Sequence, residues 1–129
     1  MSNMLKVTFL VHGIVAIVLG VLLLAVPGRV LSVLGWQPID PIMARFLGAA
    51  FLALAWGDVR GWRALSWSEV HIFVEVQLAF AALAAVGLLR HLLEGRWPAM
   101  AWILFVVFVL FAVAWLVALL SRQEQPAPA

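Results

Sequence analysis

Between residues 99 and 120 the chain carries only Ala, Met, Trp, Ile, Leu, Phe and Val. A run this long without a charge fits poorly in water, whereas a hydrocarbon core roughly 30 Å thick takes about 20 apolar residues in a helix. Inside lipid every backbone N–H and C=O must bond within the chain, and a single continuous run meets that demand only as a helix. Three further apolar runs precede it, at 7–26, 41–57 and 67–89. Together they use nearly all of the 129 residues. The expected fold is therefore all-α, an antiparallel bundle of four transmembrane helices. It forms a single membrane domain over residues 1–120, followed by a flexible tail over 121–129.

Composition agrees. Hydrophobic residues make up 67% of the chain and charged ones 11%, against about 25% charged in a soluble domain. Cysteine is absent, which excludes disulfides, thiolate zinc sites, iron–sulfur clusters, covalent c-type haem and cysteine nucleophiles from this chain. The net charge is only +2 and its basic residues are scattered among loops, so nucleic acid is not expected as a partner; membrane lipid is.

Local signals place the boundaries. Pro27-Gly28 stops the first run, with glycine suited to a left-handed cap, and residues 30–36 can lie as a short turn on the membrane surface. Asp40-Pro41 opens the second, with the carboxylate free to cap backbone N–H groups. A charged loop over 58–63 follows. Ser66-Trp67-Ser68-Glu69 then has the spacing of a capping box for the third run, and Pro98 opens the fourth. The first run exceeds a typical signal-peptide core and ends without a small-residue cleavage site, so it reads as a span. The tryptophans, Trp36, Trp56, Trp62, Trp67, Trp97, Trp102 and Trp115, read as an aromatic belt near the span ends.

An even number of spans puts both termini on one side. Lys6, Arg60, Arg63 and Arg122 on that side balance Arg29, Arg45, Arg90 and Arg96 on the other, and the amino terminus tips the expectation toward cytoplasmic termini. Small residues mark the faces where helices can approach: Gly13, Ala16 and Gly20 in the first span, Ala44 with Gly48 and Ala49 with Ala53 and Gly57 in the second, and Ala79, Ala82 and Ala85 in the third.

Ionisable groups at membrane depth are functional candidates, since translocon scales charge about 2.5–3.5 kcal/mol for each at mid-helix. His12, His71 and Glu75 share a leaflet by residue count and form the expected buried polar cluster, a hydrogen-bond network or a proton or ligand site. Gln77 points nearly opposite Glu75 and is free to bond another helix. Arg45 enters from the other surface, on the order of 15 Å in depth from Glu75, which excludes a direct pair. It is expected to anchor that side with Asp40, Glu94, a helix C-terminal carbonyl or a lipid phosphate.

The run Arg45-Phe46-Leu47-Gly48-Ala49-Ala50, followed by Trp56 and a charged loop, together with Leu19-Gly20 before Pro27, resembles the small DoxX-like four-helix membrane proteins over most of the chain. The resemblance implies a membrane accessory subunit and transfers no catalytic residue. Small multidrug antiporters share the length and span number but carry their essential glutamate in the first span, where this chain has His12. The expected function is a non-enzymatic accessory or structural subunit, packed against other membrane subunits or copies of itself. No metal or cofactor is expected. The alternative is a small proton-coupled transporter, or a redox subunit holding haem or chlorophyll, built on His12, His71 and Glu75.

Overall fold

The computed structural model describes residues 2–123. In order these form α1 (Asn3–Ala25), a short α2 (Pro27–Val33), α3 (Pro41–Arg63), α4 (His71–Glu94) and α5 (Ala99–Gln123), with one turn of 3-10 helix at Trp67–Glu69. α1, α3, α4 and α5 are each long and apolar enough to cross a membrane. Each packs antiparallel to its neighbours. Gly13 lies beside Asp58 while Gly20 lies beside Gly48, and the same reversal joins α3 to α4 through Phe51 and Phe80. Phe9 and Trp115 close the ring between α1 and α5.

The helix ends follow from side-chain chemistry. Ser2 caps α1 by accepting from Leu5 N–H, and Asp40 caps α3 by accepting from Ile42 and Met43 N–H at 3.0 and 3.1 Å. At the far end of α1, Val26 leaves the helical conformation and Pro27 starts α2 at once, where its missing N–H is no loss. The left-handed turn falls at Gly35, with φ +72°, where a Cβ would stand 3.4 Å from Pro98; Gly28 does not take it. The reversal is deferred to the end of α2 because Pro27 begins a second helix.

Two other boundaries differ from the sequence expectation. Residues 58–63, expected as a charged loop, are the last turns of α3. Asp58 is drawn into the bundle, and Gly61 lets the Phe9 ring lie so close that a Cβ there would stand 2.5 Å from it. The capping box at Ser66 does not form. The Ser66 hydroxyl donates to the Glu69 carboxylate at 2.7 Å, and α4 begins at His71 after an uncapped Val70. Residues 124–129, the greater part of the expected tail, lie outside the described residues.

Two apolar clusters fill the interior. One joins Leu5 and Phe9 of α1 to Val70, Val74, Trp115 and Ala118. The other sets Ala16 and Leu23 of α1 against Ala44, Phe51 and Ala55 of α3, and Phe51, Phe80 and Phe108 tie α3, α4 and α5 together with centroids 5.9–6.3 Å apart. Trp115 is therefore core rather than belt: it is fully buried. Between the two clusters, at the level of His12, the packing turns polar.

Candidate functional site: a polar cluster across three helices

α1 and α3 meet through small residues, and that closeness positions the site. A Cβ on Gly48 would stand 2.8 Å from Leu24 N and 2.9 Å from Gly20 O, so the two backbones are in contact. Toward the other end of the seam Gly13 makes room for Asp58, whose Cβ would stand 3.0 Å from any Cβ placed there. Asp58 is thereby brought beside His12, one residue from Gly13.

His12 Nδ1 lies 2.7 Å from Asp58 Oδ2. The other carboxylate oxygen accepts from Gln77 Nε2 of α4 at 2.9 Å, and the same nitrogen donates to the Leu54 carbonyl at 3.2 Å. His12, Asp58 and Gln77 are 5%, 1% and 2% exposed, and they are the buried polar side chains of the described core. The His12 ring is boxed by α5, edge-on to Phe111 at 4.6 Å and to Trp115 at 5.7 Å. A carboxylate this far from water is tolerable only when its oxygens are occupied, and both are.

The arrangement differs from the expected cluster. His12 is at its centre, but His71 and Glu75 are not brought to it. His71 sits half-buried at the start of α4 with Nδ1 3.0 Å from the Ser68 carbonyl, and Glu75 is exposed on the outer face. The helical phase of α4 decides this. Its buried stripe is Val74, Gln77, Ala81, Ala85 and Leu92, so Gln77 points inward and Glu75, nearly opposite, points away. Ala79, expected among the small residues of an approach face in the third span, is exposed too.

The small-residue face of α3 is also divided. Gly13, Ala16, Gly20 and Gly48 are buried in the α1–α3 seam, whereas Ala49 and Ala53 are exposed and Gly57 packs against Phe73. On the opposite side Arg45 Nε donates to the Leu24 carbonyl at 3.2 Å. That carbonyl belongs to the last turn of α1, where a cation and a donor are both favourable. Asp40 stays at its cap and does not meet Arg45.

The chain matches no protein-family model, no curated protein and no solved structure. The site is therefore read from its own chemistry. Asp58 was missed by placing 58–63 in a loop, yet a signal for it exists: Ala44, Gly48, Phe51, Ala55 and Asp58 follow one another at steps of four and three residues, one continuous helical stripe. Among the described residues no three His, Asp or Glu side chains gather as a metal ion requires. A groove of about 420 Å³ opens between α1 and α5, lined by Val7, Val11, Val107 and Leu110 among other apolar residues and by Thr8.

Proposed function

We propose that this protein is a non-enzymatic membrane subunit that acts by helix packing, within a larger membrane assembly or as copies of itself. The observation that carries this reading is the use made of the buried polar groups. His12, Asp58 and Gln77 join α1, α3 and α4 to one another, and the groove between α1 and α5 offers no charged side chain, its one polar residue, Thr8, donating to the Met4 carbonyl of its own helix. The surface left over suits contact within the bilayer, with Ala49 and Ala53 exposed on α3 between Phe46 and Trp56. The layout resemblance to DoxX-like accessory proteins points the same way.

Purification from its native membrane in mild detergent tests the proposal. Co-purifying membrane proteins, or a mass above that of one chain, are the expected result. A single-chain particle with a visible absorption band would overturn it in favour of a pigment or haem subunit. The His12–Asp58 pair favours a second reading, proton-coupled transport, with Asp58 in the place first given to Glu75. In that case Asp58→Asn abolishes pH-driven uptake in vesicles while Glu75→Gln leaves it intact.

A further inference from the structure

α4 turns one face away from the bundle along its whole length. Ile72, Glu75, Leu83, Val86, Arg90 and Leu93 share that face at helical spacing, and all six are exposed. Four of them are large apolar side chains that suit hydrocarbon. The two charged ones do not. Glu75 lies four residues after His71, about 6 Å into the helix, and forms no hydrogen bond or ion pair among the described residues. A bare carboxylate facing lipid at that level is penalised. Arg90 lies four residues before Glu94 and reaches only that exposed carboxylate, at 3.6 Å, a pair of the kind that contributes little.

Opposite charges placed equally far from the two ends make the face complementary to itself when inverted. The midpoint between them falls at Ala82 and Leu83. A half-turn about it sets Glu75 against Arg90 of a second copy, Arg90 against Glu75, and Ile72 against Leu93. A parallel copy would instead bring Glu75 beside Glu75. Inversion requires the chain to insert in both directions, and its flanking charges allow this. Lys6, Arg60, Arg63 and Arg122 on one side match Arg29, Arg45, Arg90 and Arg96 on the other, so no excess of positive charge imposes a direction.

We propose that two copies of the chain, inserted in opposite directions, pair through this face of α4 as an antiparallel dimer with a Glu75–Arg90 ion pair at each end. The pairing rests on the helix-packing reading and gives that role a partner, the chain's own inverted copy. Each lipid-facing carboxylate gains a cation, and the apolar side chains between the two ion pairs gain a matching surface.

Because the chain has no cysteine, introduced ones report without background. Two differently tagged full-length chains, Ile72→Cys and Leu93→Cys, are co-expressed and oxidised in the membrane with copper phenanthroline. A disulfide joining the two tags is expected, and either variant alone should give none. Glu75→Gln in both chains leaves every Lys and Arg in place and should lower the yield several-fold. Ser32→Cys, exposed on α2, should be labelled by an impermeant thiol reagent in about half of the chains of intact cells. Absence of the mixed disulfide overturns the proposal. So do disulfides within either single-variant population, a yield that Glu75→Gln leaves unchanged, or labelling of Ser32→Cys that is complete or nil. A particle holding one copy of the chain with foreign membrane proteins overturns the inverted dimer and keeps the packing role, whereas a lone single chain overturns both.

Discussion

α1 and α3 come together through glycines until their backbones touch, whereas α4 and α5 pack closely without a glycine between them. In the first pair Gly20 and Gly48 face each other across a gap that a single Cβ would fill. In the second, Phe80 meets Phe108, and the one glycine of α4, Gly87, lies outside the seam on the open face of the helix. Lipid tails are as apolar as leucine, so burial alone gives little reason for two helices to associate there. The α1–α3 pair answers with backbone contact and a hydrogen-bonded carboxylate; the α4–α5 pair answers with the bulk of its aromatic and aliphatic side chains. The first seam is intolerant of added volume and lost polarity, whereas the second has no glycine backbone to crowd.

The largest break in that contrast should come from Asp58→Leu. It leaves His12 Nδ1 and Gln77 Nε2 without their shared acceptor, and removing one partner from a buried pair is destabilising by about 3–5 kcal/mol. Unfolding in mixed micelles reads this directly, and adding His12→Leu should harm the protein less than the two single effects summed. A double variant as damaged as that sum would mean that the pair does not act as a unit.

Gly48→Leu comes next, at about 3 kcal/mol, because the atoms in its way are backbone and cannot move aside alone. Stability close to that of the unmodified protein would show the seam to be loose. Gly87→Ala sharpens the comparison from the other side. With open space around it, the substitution should stabilise α4 by up to about 1 kcal/mol, seen as a rise in unfolding midpoint. Glu75→Leu should change stability by no more than about 0.5 kcal/mol, since the side chain faces outward and supports no buried partner. A large loss would return Glu75 to the interior.

The smallest effect lies outside the membrane. The Ser66 hydroxyl, ahead of other nearby groups, holds the Glu69 carboxyl below the usual glutamate range. A lowered carboxyl favours the folded state fully above the ordinary glutamate pKa, and that contribution fades as pH falls through the lowered value. Ser66→Ala should move the Glu69 titration upward, as followed by carboxyl 13C shifts, and leave the α1–α3 seam untouched.

Much of this fold was legible because lipid imposes few solutions. Unbroken apolar runs, Asp40 before Pro41, and Pro98 before the last run mark their helices without tertiary information. The site was half legible. His12 stood out as an ionisable group in an apolar run, but Asp58 sits among Arg60, Gly61 and Arg63, where local composition says loop and only the stripe from Ala44 says helix interior. The facing of α4 was the harder problem. Its buried stripe and its outer face contain similar residues, and the choice between Glu75 and Gln77 rests on where Asp58 lies, which is a fact about another helix.

The capture of Asp58 by His12 bears on biogenesis. α3 is the least apolar of the four spans and carries both Arg45 and Asp58, so on its own it is the poorest candidate for leaving the translocon sideways into lipid. The order of synthesis relieves this. α1 has already emerged when α3 arrives, offering His12 to the carboxylate and the Leu24 carbonyl to the guanidinium, one near each end of the incoming helix. α1 is thus placed to act as an intramolecular escort, with Gln77, later in the chain, closing the other side of Asp58.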